Sequence, residues 1–228
     1  DVKVYLVEGT SEVLGSMSEQ ASTKAKSFLE RLGVQVLTNI KVESYNGKLI
    51  KLSNGQAIDT KNVLWSAGVK GSIPEGISPD SITRSKRIQV NEFNQVKGYE
   101  HIYAIGDVAA CITDNKPNGL PGVAPVAIQQ GKMLAKNLIR FINSEKPEPF
   151  HYFDKGSMAT VGRNLAVVDI GKIRFQGIFA WFVWMFVHLM SLVGFRNKVV
   201  TFVNWVWSYF SYDRGTRLII RSRVEPAM

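Results

Sequence analysis

A chain of 228 residues, 45% of them hydrophobic, is long enough to bury one or two cores. Its single cysteine, Cys111, excludes an internal disulfide and a cysteine-rich metal site, and fits a reducing compartment. A formal charge of +9 asks for an anionic partner, which composition alone leaves open between nucleic acid and a membrane surface.

Residues 3–7 alternate weakly as a strand and end at Glu8-Gly9, a turn. An acidic residue at such a strand end is either solvated or an acceptor for the ribose hydroxyls of a nucleotide. Ser16 and Glu19 have the spacing of a capping box, and Ala21, Ala25, Phe28, Leu29 and Leu32 then share one helical face up to Gly33. A strand resumes at Val34. Asn46-Gly47 and Asn54-Gly55 predict two hairpins, and Val63 to Gly68 predicts a further buried strand with Ala67-Gly68 at its end. Strand, helix, strand, meander and strand together read as the second half of a nucleotide-binding α/β domain. No Gly-x-Gly-x-x-Gly fingerprint occurs anywhere in the chain.

Glycine and proline between 68 and 79 suggest a domain crossover. Short strands are expected from about 80 to 107. There the run Ile102-Tyr-Ala-Ile-Gly106-Asp107 reads as a buried strand delivering a carboxylate to a sheet edge, with Gly106 allowing a ligand close to the backbone. Asp114 to Gly122 is a polar loop. A helix is predicted from Pro125 to Ile142, with Ala127, Gly131, Leu134, Ala135, Leu138 and Ile142 inward and Lys132, Lys136 and Arg140 outward. Its first turn would present free N–H groups toward the Gly106-Asp107 end. Such a pairing suits a ligand with a sugar-like chain and a ring able to carry negative charge.

Short strands are again expected between Phe153 and Ile170. The character then changes. Phe175 to Phe195 holds 21 positions without a charged residue, and Val199 to Tyr212 is a second uncharged run containing Trp205, Trp207, Tyr209 and Phe210. Arg196-Asn-Lys198 separates them. From Lys155 onward there are ten basic residues against three acidic ones. The first run is long enough to span a bilayer, but Gly177, His188, Ser191 and Gly194 interrupt it and its tryptophans are spread along it. This favours two amphipathic aromatic helices lying on one leaflet of an anionic membrane without crossing it; a spanning helix and a buried dimer interface are the other readings. Arg196, Lys198, Arg214, Arg217, Arg221 and Arg223 would meet the headgroups. The aromatic density favours this membrane surface over nucleic acid.

Two of these stretches also carry a family likeness. Ile102 to Asp107 with Ala109 resembles the second FAD-binding signature of two-dinucleotide flavoprotein reductases. Ala124-Pro125-Val126-Ala127-Ile128-Gln129 resembles the quinone-site motif Ala-Gln-x-Ala-x-Gln of type II NADH dehydrogenases, with Pro125 in place of the first glutamine. The resemblance runs through the whole chain. It implies a partial two-dinucleotide-binding-domain, Rossmann-like α/β flavoprotein with a C-terminal membrane-anchoring helical segment. Residues 1–70 would be the second half of an NADH-binding domain, 71–150 the C-terminal part of an FAD-binding domain, and 151–228 the terminal strands and anchor.

What the resemblance implies about chemistry is flavin-dependent electron transfer from NADH to a membrane quinone, without proton pumping, in a respiratory chain. FAD and NAD are the expected cofactors. Glu8, Ala67, Gly68, Gly106, Asp107 and Ala127 are the expected cofactor contacts. Ala124, Pro125, Gln129 and Gln130 would form the quinone side, with Gln129 as the catalytic residue. No metal and no nucleic acid are expected. Glu8 would favour NADH over NADPH by repelling a 2′-phosphate. The chain would be roughly the C-terminal half of a longer protein and inactive alone, its N-terminal half being a partner together with a possible second copy in a homodimer. The place of action would be the cytoplasmic face of the membrane, peripheral and monotopic. Two alternatives stand beside this reading: another quinone-reducing flavoprotein of the same fold, such as a sulfide:quinone reductase, for which one cysteine is too few, and a membrane-binding module without activity.

Overall fold

The computed structural model describes residues 2–68, 70–113, 116, 117 and 119–211. Strand β1 (Val4–Val7), helix α1 (Glu19–Arg31) and strand β2 (Val34–Leu37) form a βαβ unit. The two strands pair in parallel, Val4 opposite Val34 through Val7 opposite Leu37. Helix α1 is N-capped by Ser18, whose Oγ accepts from the Ala21 N–H at 3.3 Å. The capping box expected at Ser16 does not form, because a carboxylate from far along the chain anchors the true cap. Asp169 accepts from the Ser18 N–H at 2.7 Å and from its hydroxyl at 3.0 Å.

A meander follows: β3 (Val42–Tyr45), β4 (Leu49–Leu52) and β5 (Ala57–Asp59), in that order across one sheet. Both predicted hairpins are present. Asn46 accepts from the N–H groups of Lys48 and Leu49, and Asn54 from that of Gln56, which is the side-chain mimicry of a turn that favours asparagine there. The strand expected at Val63–Gly68 is absent. This stretch is irregular, with Leu64 97% and Trp65 68% exposed. A single apolar run gains nothing from extension unless a neighbouring strand takes its backbone groups, and β1 and β2 pair only with each other.

Strand β6 (Ile88–Val90) pairs in parallel with β7 (Ala109–Cys111). The strand expected to end at Gly106-Asp107 therefore lies after it. Residues 102–105 carry only a bridge from Tyr103 to Gln95, and Ile102 and Ile105 are exposed. Helix α2 (Ala124–Ile142) begins one residue earlier than predicted and turns a different face inward. Val126, Gln130 and Asn137 are buried, while Ala135, Leu138 and Ile142 are exposed. The helical period holds, with Ala127, Gly131 and Leu134 half-buried and Lys132 and Lys136 exposed, but the inward face is turned, because two amides with hydrogen-bond partners take the core side. Gln130 is bonded as described below, and Asn137 exchanges two bonds with the backbone of Glu148.

The C-terminal part holds an antiparallel sheet of β8 (Ser157–Gly162), β9 (Leu165–Ile170) and β10 (Ile173–Gly177), with β9 central. Helix α3 (Ile178–Ser191) packs Ala180 against Ala166 and Val168 on one face of β9. Helix α1 packs Ala21 and Phe28 against Val167 on the other. Helix α4 (Phe195–Ser211) follows. Two compact units result. Of the described residues, 2–44, 51–56 and 157–211 form one, and those within 45–50 and 57–156 the other. The second is centred on a core of Ile88, Val90, Ala109, Cys111, Val126 and Phe150.

Candidate functional site

Gly106, Asp107 and Val108 make a 3-10 turn between Ile105 and β7. Gly106 sits at φ +71°, a conformation side chains rarely adopt, and a Cβ there would stand 3.5 Å from that of Ala127 on α2. Asp107 is exposed, and its carboxylate faces Gly122, where an added Cβ would come within 3.3 Å of Oδ1. Glycine at 122 therefore keeps the approach to the carboxylate clear. Arg87, just before β6, donates from Nε to the Asp107 carbonyl at 3.0 Å and from Nη2 to the Ala109 carbonyl.

The start of α2 lies against this turn. Its dipole points the positive end there, but fewer amides are free than expected. The N–H groups of Val126 and Ala127 both return to the carbonyl of Val123, and Pro125 has none. Ala124 is left as the amide of that turn with no hydrogen-bond partner among the described residues.

The two glutamines diverge. Gln129 exchanges two bonds with the backbone of Phe153, both at 3.0 Å. Gln130 is 1% exposed; its Oε1 accepts from the Gly106 N–H at 2.8 Å, and its Nε2 donates to Asn94 Oδ1 at 2.9 Å. Its amide is thus spent inside the core, which gives it a framework role where a quinone contact was expected. Arg87 and Asn94 were missed in the sequence. A lone arginine before a strand looks solvated; Asn94 leaves a faint signal, a second asparagine in the turn begun by Asn91.

Gly106, Asp107, Ala124, Pro125, Ala127 and Gln130 are thus gathered at one turn and one helix start, while Gln129 turns to Phe153. Ala67 and Gly68 lie on an exposed loop of the same unit, where a Cβ on Gly68 would meet nothing within 4 Å. Glu8 belongs to the other unit and follows β1 directly. The Thr10 N–H and hydroxyl both donate to Glu8 Oε1 at 2.9 Å and hold its carboxyl below the usual carboxylate range. The Gly9 backbone N–H lowers it further, against a small effect of burial. Cys111 is buried in β7; burial, and then the Glu92 carboxylate, push its thiol up.

The C-terminal helices form an aromatic hairpin. Trp184 stacks near Trp205 with centroids 6.2 Å apart, and Trp181 meets Tyr209 at 5.6 Å. Arg163 lies 4.1 Å over the Tyr209 ring. On α4, Lys198, Thr201, Trp205 and Tyr209 are half-buried on one face, while Val199, Phe202, Val203, Val206 and Phe210 are exposed. The 21-position uncharged run is divided among the end of β10, the 14-residue α3, a short turn and the first residue of α4. At 1.5 Å per residue α3 is about 21 Å long, short of a hydrocarbon core. Among the described residues no helix is long and apolar enough to cross a membrane. Four of the arginines expected at the headgroups, Arg214, Arg217, Arg221 and Arg223, lie outside the described residues.

Comparison with known proteins places these features. The model of the pyridine nucleotide-disulphide oxidoreductase family matches residues 1–131, and that of the NDH2 C-terminal domain matches 154–212. The chain is 35% identical over 224 residues to the type II NADH:quinone oxidoreductase Ndh of Mycobacterium tuberculosis, covering 93% of this chain and 47% of that protein. It spans about half the length of the curated relatives it matches. Among solved structures, NDH2 from Plasmodium falciparum in complex with NADH superposes with a TM-score of 0.80 at 16% identity, over 92% of this chain and 58% of that one. The sulfide:quinone oxidoreductase of Aquifex aeolicus gives 0.64, also at 16% identity, over 91% and 53%. These two likenesses show a shared fold. The chain belongs to the pyridine nucleotide-disulphide oxidoreductase family and carries an NDH2 C-terminal domain.

Proposed function

We propose that the protein to which this chain belongs is a type II NADH:quinone oxidoreductase that takes electrons from NADH and delivers them to a membrane quinone without pumping protons. The observation that carries this reading is the aromatic hairpin. It coincides with the NDH2 C-terminal domain match and turns an apolar α4 face outward, as a quinone-reducing protein working at a bilayer surface requires.

FAD, when bound, supplies the two-electron chemistry. The residues fit it at one end. Asp107 accepts hydrogen bonds from the ribityl or phosphate side, Gly106 and Gly122 keep that approach open, and Ala127 lines it. The dipole of α2 and the Ala124 N–H favour negative charge on the ring. Ala67 and Gly68 offer backbone to the bound cofactors. Glu8 Oε2 accepts from the ribose of NADH, while Thr10 keeps the carboxylate charged, which opposes a 2′-phosphate. On the quinone side stand Ala124, Pro125 and Gln129; Gln129 acts there by holding the exposed Phe153, since its own amide is engaged.

In this reading residues 1–70 serve NADH, 71–150 serve FAD and 151–228 serve the membrane. The outward face of α4 rests on one leaflet, on its cytoplasmic side, with Arg196 and Lys198 at the headgroups. The N-terminal half of the protein completes the flavin site, and a second copy forms a homodimer. The test is the full-length protein. It should hold yellow flavin and reduce quinone with NADH at least 10-fold more efficiently than with NADPH, and Glu8→Gln should narrow that gap. Equal rates with the two donors would remove Glu8 from the site. A colourless protein without quinone reductase activity would overturn the function.

A further inference from the structure

Three backbone groups of the Asp107 turn are held by side chains that lie outside the proposed ligand contacts. On one side Arg87 spans two carbonyls, those of Asp107 and Ala109. On the other, Gln130 takes the Gly106 N–H. The carboxylate between them belongs to neither set of bonds and is exposed. The bonds therefore fix the direction in which Asp107 leaves the backbone, and leave the acid itself free for a ligand.

The geometry of the Gln130 side also fixes its own polarity. A backbone N–H can only donate, so Gln130 must turn Oε1 toward Gly106 and Nε2 away. Nε2 then needs an acceptor, and Asn94 meets it with Oδ1. Asn94 is 0% exposed and sits at φ +61°, and its Nδ2 is left inside with no hydrogen-bond partner. An apolar residue at 130 would fill the helix face without this cost, but would leave the Gly106 N–H unbonded. A strained asparagine with an orphaned N–H is retained where it serves the turn that carries the site.

We propose that Arg87 and the Gln130–Asn94 pair are positioning residues that set the Asp107 carboxylate before FAD arrives. The proposal rests on the reading of Asp107 as a flavin contact. It predicts coupling. Once the carboxylate is gone, its positioning no longer matters.

The test titrates FAD into full-length apo-protein and follows flavin fluorescence, with the thermal midpoint of each apo-protein measured in parallel. Asp107→Ala should weaken FAD binding about 10- to 100-fold, the loss of one charge-assisted bond. Arg87→Met should weaken it about 10-fold. The double variant should bind no more weakly than Asp107→Ala alone. Arg87→Lys should recover only part, because one ammonium cannot span two carbonyls as a guanidinium does. Gln130→Met should behave like Arg87→Met, and it supplies the same cycle if Arg87→Met does not fold. Gln130→Glu should keep more affinity than Gln130→Met, since it retains an oxygen for Gly106. Additive losses in the double variant, or full affinity in Arg87→Met and Gln130→Met while Asp107→Ala is impaired, would overturn the positioning role and leave Asp107 in place. Full affinity in Asp107→Ala would instead remove the flavin contact, and the positioning role with it.

Discussion

Around Asp107, side chains close the polar groups of the backbone from within: Gln130 on Gly106, Arg87 on Asp107 and Ala109. Along α4 the opposite holds. The half-buried face carries Lys198 and Thr201 beside two aromatics, and the outward face is a row of Val199, Phe202, Val203, Val206 and Phe210, the last 79% exposed. A turn finished from inside is built to meet a ligand with little reorganisation. An apolar helix face left open is completed from outside, by an apolar phase or by another apolar surface. The difference separates a site of fixed geometry from one of extended contact. Precise bonds suit the first, and area suits the second.

The largest expected effect breaks the open side of this comparison. Phe202→Glu with Val206→Glu should weaken binding of the full-length protein to anionic vesicles by at least about 100-fold. Each fully buried side chain of this size contributes roughly 1.5–3 kcal/mol and each new carboxylate opposes the surface charge. Phe202 is 48% and Val206 40% exposed in the fold, so the thermal midpoint should fall by no more than about 4 °C. Sedimentation with vesicles decides it, and unchanged binding would hand the outward face to another surface.

A smaller effect sharpens the closed side. Gly122→Ala places a methyl 3.3 Å from Asp107 Oδ1, tighter than ordinary contact, so the carboxylate must shift by a few tenths of an ångström. FAD affinity should drop about 3- to 10-fold, as one hydrogen bond is bent without being lost. An unchanged dissociation constant by fluorescence titration would mean the carboxylate position is not critical.

The smallest effect concerns Cys111, which lies in the core behind the turn. Burial favours its neutral thiol, so the folded thiol titrates higher than the unfolded one. This contribution is complete below the unfolded thiol value of about 8.5 and is lost as pH rises from there through the folded value. Stability should therefore decline on the alkaline side, and less so in Cys111→Ala. A thiol reagent should label Cys111 only on unfolding; rapid labelling of the native protein would show that the β7 core opens.

The sequence by itself determined the local pieces whose signals are short-range. The hairpins at Asn46-Gly47 and Asn54-Gly55, the βαβ unit whose first strand ends just before Glu8, and the Gly106-Asp107 motif beside a helix start were legible because turn chemistry and periodicity act within a few residues. The tertiary structure alone decided the rest. Asp169 moved the α1 cap to Ser18 from 151 positions away. Pairing placed β7 after the Gly-Asp turn and left Val63–Gly68 without a strand. Gln130 and Asn137 set the inward face of α2, which no hydrophobicity pattern would choose. Each of these depends on a partner distant in the chain. A buried polar group is stable only when that partner is in place, and the sequence does not state where the fold will put it.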